Sequence, residues 1–158
     1  MTSADMNSTF REFALMFLGR QPVDEDIPFA ENLDRSALDG SIDSLRAVDN
    51  YLSYVQANLE HLTDSKCNNL ALRCGGYIGE CIRMTWPESY DWCDYSDYMP
   101  SHPQLSGLMP DRTLGTCALL VRKPDSMILP VNKVLRFLHE GPENSVHYFA
   151  HCEIQHHQ

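Results

Sequence analysis

Cationic side chains are scarce in this chain. Twelve Lys and Arg stand against 22 Asp and Glu over 158 residues, a formal net charge of −10. Nucleic-acid binding neutralises phosphates with clustered cations, so direct contact with nucleic acid is disfavoured and a basic protein partner is favoured. Long apolar runs are missing too, and nothing approaches the roughly 18 consecutive apolar residues of a membrane-spanning helix. The first apolar stretch, Phe10 to Leu18, is broken by Arg11 and Glu12, and the leading Met1-Thr2-Ser3-Ala4-Asp5-Met6 carries no cation. That pattern argues against a secretory signal peptide, and a cytoplasmic location is expected. Also absent are G-x-S-x-G, a glycine loop followed by Lys and Ser/Thr, H-E-x-x-H and a dinucleotide fingerprint. A non-enzymatic role without a cofactor is the expectation.

The six cysteines include no C-x-x-C pair, which disfavours a structural zinc site. Cys67, Cys74 and Cys81 recur every seven residues inside a helical pattern. Seven helical residues rise about 10.5 Å, beyond the roughly 7 Å that a disulfide tolerates, so these three are expected as small buried hydrophobes. Cys93, Cys117 and Cys152 are scattered. His147 and His151 are four residues apart, but Val146, Tyr148 and Ala150 alternate with His147, Phe149 and His151, which reads as a strand. His156 and His157 fall in a tail expected to fray. No metal site is expected.

With 43% hydrophobic residues the chain is globular in composition. Phe10, Phe13, Ala14 and Phe17 define a helix over Ser8 to Leu18, ended by Gly19. Residues 21 to 40, with two prolines and six acids, form an acidic loop wrapping the surface. Ser41 is the expected N-cap of a second helix carrying Ile42, Leu45, Val48, Leu52, Val55, Leu59 and Leu62. A third helix begins after Thr63-Asp64-Ser65 and runs to about Met84, with Leu70, Cys74, Tyr77, Ile78, Cys81 and Ile82 on one face. Its other face holds Gly75, Gly76 and Gly79, each costing about 1 kcal/mol relative to alanine. Close approach of another backbone is the expected compensation, and a ligand against that face the rarer one. Thr116 to Val121 reads as a buried strand, Pro130 to Leu138 as a helix ended by Gly141-Pro142, and Ser145 to Glu153 as a strand or a helix, the alternation favouring strand. The result is a single α+β domain over 1–158, an N-terminal helical half packed on a small sheet from the C-terminal half, with an acidic, aromatic, irregular segment at 86–115.

The stretch Leu38-Asp39-Gly40-Ser41-Ile42-Asp43-Ser44-Leu45, followed by Gly75-Gly76-Tyr77-Ile78-Gly79-Glu80, resembles a group of small bacterial proteins that pair an L-D-x-S helix start with a helix carrying G-x-Y-x-G-E. The likeness covers roughly residues 36 to 86. Some small acidic proteins of this look are immunity partners of secreted toxins, so the resemblance implies such a role here. It supplies no catalytic residue.

The surplus charge is concentrated in two places. Residues 21–50 hold eight acids against Arg35 and Arg46, and residues 86–98 hold Glu88, Asp91, Asp94 and Asp97 with no cation. A localised acidic field steers a basic surface into contact, and in the second segment Trp86, Tyr90, Trp92, Tyr95 and Tyr98 are interleaved with the acids. Aromatic rings are strong interface anchors and accept cations on their faces. The expected partner is a cognate basic toxin domain, with Asp24, Glu25 and Asp26 steering and Tyr90, Asp91, Trp92, Asp94, Tyr95, Asp97 and Tyr98 inserting. Some of these rings, Trp86 foremost, are expected to pack inward instead. The alternative is a small-molecule or enzymatic pocket around Tyr77, Glu80 and the glycine face.

Overall fold

The computed structural model describes residues 2–157. Helix α1 spans Ser3–Phe17 and begins earlier than the apolar period implied, because Thr2 and Asp5 cap it reciprocally. The Thr2 hydroxyl accepts from Asp5 N at 3.1 Å while the Asp5 carboxylate accepts from Thr2 N at 3.3 Å. Its C-terminus closes as a Schellman turn: Gly19 N donates to Met16 O and Arg20 N to Leu15 O, with Gly19 at φ +73°. Met6, Phe10, Ala14 and Phe17 form its buried stripe.

Ser41 caps a tight turn and not the helix itself. Its hydroxyl accepts from Ser44 N at 3.1 Å, and α2 starts at Leu45 and ends at Ala57. A 3-10 turn over Leu59–His61 follows, so the long apolar period of 42–62 is divided among three elements.

Helix α3, Asp64–Arg83, is capped by Thr63. Cys74 through Ile82 are buried without interruption, as befits a helix enclosed on all sides. The glycines make that possible. A Cβ on Gly76 would stand 2.9 Å from the Phe10 carbonyl oxygen of α1, and one on Gly75 2.8 Å from Val131 Cα. Those are the close backbone approaches expected from the sequence. At Gly79 the neighbour is a ring: its Cβ would lie 2.1 Å from Trp92 Cζ2.

The sheet is antiparallel in the order β1 (Tyr90–Asp94), β2 (Ala118–Arg122), β3 (Ser126–Ile128). Trp92 pairs with Leu120, and Val121 with Met127. The segment 86–115 is therefore less irregular than expected: it holds β1, the short α4 (Tyr95–Tyr98) and two 3-10 turns. Helix α5, Pro130–Glu140, has its proline in the first turn and ends at Gly141, φ +109°.

The final segment is helix α6, Val146–His157, and not the strand expected. Alternation over five residues fits either element, since i and i+4 share a side in both. The difference comes from α2. Asp49 accepts from Val146 N at 2.7 Å and from the Ser145 hydroxyl at 2.6 Å, satisfying the open end of α6. Val146, Ala150 and Glu153 are then buried at helical spacing.

One core joins α1, α2, α3, α5 and α6 to the inner face of β1 and β2, and a smaller cluster of Tyr98, Met109 and Leu119 sits across the sheet. The architecture is α+β. Among the described residues, no helix is long and apolar enough to cross a membrane.

Candidate functional site

Strand β1 sends its alternate residues to opposite sides, and this disposes of the expected aromatic anchor. Tyr90 and Trp92 are fully buried. Trp92 stacks on Phe10 at 4.1 Å between centroids, its indole N–H donates to Glu80 Oε2 at 3.1 Å, and its backbone N–H donates to Asn7 Oδ1 at 2.8 Å. Tyr98 is buried against His102 in a parallel stack at 3.9 Å. Half-buried Tyr95 donates its hydroxyl to Met109 O. Trp86, the ring foremost expected to pack inward, is half-buried and packs against the core.

Two of the four carboxylates of this segment, Asp91 and Asp94, are also committed, while Glu88 is exposed. Asp91 accepts from Asn7 Nδ2 and Lys123 Nζ, each at 2.9 Å. Burial works to raise the Asp91 pKa, yet these two donors hold it below the usual carboxylate value. Asp94 accepts from Ser96 N at 2.8 Å to start α4 and faces Arg112 at 3.5 Å. Asp97 is exposed. Insertion of Tyr90, Trp92 and Tyr98 into a partner is thus corrected: Tyr90 and Trp92 pack in the main core under α1 and Tyr98 in the smaller cluster across the sheet, because burial of a large ring outweighs any gain from displaying it.

Tyr77 and Glu80 are occupied as well. The Tyr77 hydroxyl donates to Ser44 Oγ at 2.7 Å and accepts from Gly40 N at 3.1 Å, while Ser44 Oγ donates onward to Ser41 O. Burial pushes the Tyr77 hydroxyl pKa up. Glu80, 8% exposed, receives Arg83 in bidentate form at 2.8 and 3.1 Å besides the Trp92 indole. The neighbouring Cys81 thiol is pushed by burial up to about 12, and that of fully buried Cys74 well above its ordinary value, so neither is a thiolate nucleophile at neutral pH. The pocket expected around Tyr77, Glu80 and the glycines is corrected, since Val131, α1 and Trp92 fill that space. The two sequence motifs meet here as a clamp: Tyr77 of one ties Gly40 and Ser44 of the other.

What remains outward is the ribbon between α1 and α2. Asp24, Glu25, Asp26, Glu31, Asp34, Asp39 and Asp43 are all exposed along it, against two cations, Arg20 and Arg35. Regular structure is limited to 3-10 turns at Ala30–Asn32 and Arg35–Ala37. Side chains pin it nonetheless. Ile27, Leu33 and Leu38 are buried beneath it, the Tyr51 hydroxyl donates to Pro28 O, and Arg73 Nη1 donates to Glu25 O at 2.8 Å. Arg35 donates to Phe17 O at 3.0 Å and to both Asp26 oxygens at 3.0 and 2.7 Å. That guanidinium holds the Asp26 carboxyl below its usual value. Of the residues expected to steer a partner, Asp24 presents a free face, Glu25 is exposed beside Lys66 at 3.7 Å and Asp26 is tied to Arg35.

The two acidic groups do not converge. Asp91 is anchored at Asn7, near the start of α1, and the ribbon at Phe17, its last residue. Ten helical residues separate these points, about 15 Å. A feature outside the sequence expectations lies beyond the ribbon, a groove of about 640 Å³ lined by Ile42, Asp43, Arg46, His147, Tyr148 and His151. Burial and the Arg46 charge lower the His147 imidazole pKa. Only the helical state of α6 brings its histidines to that groove, so a strand reading of 145–153 conceals it.

Comparison with protein-family models, with curated proteins and with solved structures finds no match for this chain.

Proposed function

We propose that this chain is a binding protein of the immunity type, which neutralises a basic secreted toxin domain by stoichiometric occlusion. The observation that carries this reading is the acidic ribbon: seven exposed carboxylates from Asp24 to Asp43 on a segment held in place by Arg35, Arg73, Tyr51 and three buried apolar side chains. A pinned segment loses little conformational freedom when it docks, and rigid display raises affinity for that reason. Its field steers a cationic face into register. Carboxylates placed against the Arg and Lys with which a nuclease-like toxin grips phosphate would deny it that substrate. The toxin class itself comes from the resemblance of the 38–45 and 75–80 motifs, and the surface from the ribbon.

The decisive experiment is capture of the partner from source cells by the wild-type chain, its identification, and kinetic measurement with purified components. The D24K/E31K double variant alters two exposed acids outside every bond named above. It is expected to slow association about tenfold at low salt and to flatten the salt dependence. An unchanged rate and salt slope would remove the ribbon from the interface. Reversal at Asp97 serves as the control on the other acidic segment and should change neither.

A further inference from the structure

Because the last segment is a helix, His147 and His151 stand one turn apart on the same face of α6. Their ring centroids are 5.9 Å apart and their planes within 18° of parallel. No hydrogen bond among the described residues engages either imidazole, and both rings line the 640 Å³ groove whose opposite wall is the Ile42–Arg46 turn. The start of α6 is held in place, since Asp49 accepts from the Ser145 hydroxyl and from the backbone N–H groups of Val146 and His147. Across the groove Asp43, 82% exposed, accepts from Arg46 Nε at 2.9 Å through one oxygen.

We propose that His147 and His151 form a two-imidazole chelate for a borderline divalent transition ion of the zinc, nickel or copper type, with water in the groove completing its coordination. Imidazole nitrogen is a preferred ligand for these ions, whereas calcium and magnesium demand an oxygen cage that the groove does not offer. The ring separation is one that a single ion, bonded at about 2.0–2.1 Å to a nitrogen of each ring, can span. Asp43 and Asp49 face His147 opposite the Arg46 guanidinium, and the whole chain carries −10. Among the described residues no group of three or more His, Cys, Asp and Glu side chains converges on a metal position. The ion therefore keeps open coordination positions and exchanges readily, as in a regulatory or bridging site and unlike a closed structural one.

The test uses the full chain stripped with chelator and titrated with zinc chloride by calorimetry at neutral pH, with the histidine ring nitrogens followed by NMR. One equivalent is expected to bind, shifting the His147 and His151 resonances. H151Q is expected to weaken binding at least about tenfold, since loss of even an outer partner of a metal site costs that much, and H147Q likewise. The H156Q/H157Q double variant should bind as the wild type does. Absence of binding, undiminished binding by H151Q, or loss of binding in H156Q/H157Q alone would each overturn the proposal, the last by placing the ion at the chain terminus. His151 is exposed, so H151Q is expected to fold, and a matching circular dichroism spectrum checks that it does.

Discussion

Replacing Gly79 with alanine reverses the usual rule for a helical glycine. In an open helix the change stabilises by about 1 kcal/mol. Here the new Cβ would lie 2.1 Å from Trp92 Cζ2 and 2.5 Å from Cη2, so the indole has to move. Its freedom is small, because it stacks on Phe10 at 4.1 Å and is fully buried. Overpacking a core typically costs about 1–3 kcal/mol, and this contact belongs at the upper end. Displacing the indole also breaks its bond to Glu80, worth roughly 1 kcal/mol, although Arg83 remains on that carboxylate. With the propensity gain subtracted, G79A should lose about 2–3 kcal/mol, or about 5–10 °C in Tm for a chain of this length. Chemical denaturation followed by tryptophan fluorescence and a thermal scan measure both. A variant as stable as wild type, or more so, would refute the view that Gly79 exists to seat Trp92, and would reopen the glycine face as a ligand surface.

Asp49→Ala should fray the beginning of α6 at a cost of about 1–2 kcal/mol, the usual value of a lost N-cap, seen as faster amide exchange at Val146 to Ala150 with the centre of α3 unaffected. Arg35→Ala should loosen the ribbon, with faster exchange over residues 21–40 and little global loss, because its pair with Asp26 is a half-exposed one in a class worth roughly 0–1 kcal/mol. The same pair sets a pH dependence. The folded Asp26 pKa lies below its ordinary 3.8, so the pair stabilises above that value and the gain disappears as pH falls through the lower, folded one. Tm should therefore fall in acid more steeply for wild type than for R35A, and equal slopes would deny the coupling.

How much of this was readable in advance divides along the range of the interactions. The apolar periods of 10–17, 45–55 and 70–82 mark α1, α2 and α3 because an amphipathic stripe is a local property. Gly19 and Gly141 mark ends for the same reason. The glycines of α3 announced a close approach, and two of the three receive backbone there. The Tyr90-Asp91-Trp92-Cys93-Asp94 stretch carried its alternation in plain view. By composition its acids and rings resemble an interface, whereas its two-residue period assigns Tyr90 and Trp92 to one side and Asp91 to the other. In the ribbon, the exposure of Asp24 and Glu25 was legible, whereas the bond from Arg35 to Asp26 was not.

Composition and short-range periodicity thus settle that the chain is acidic, that its first half is helical, and that the acid is densest between α1 and α2. They cannot settle the state of residues 145–153, where two-residue and four-residue repeats coincide and the deciding carboxylate, Asp49, lies 97 positions away from the amide it caps. Nor can they say which ring covers Gly79, since Trp92 is brought there by its pairing with Leu120, its stack on Phe10 and its bonds to Asn7 and Glu80. Helical stripes and turns arise within a few residues of one another. Caps, ring stacking and the pairing of His147 with the groove beside Asp43 depend on contacts between distant parts of the chain, and only packing brings those parts together.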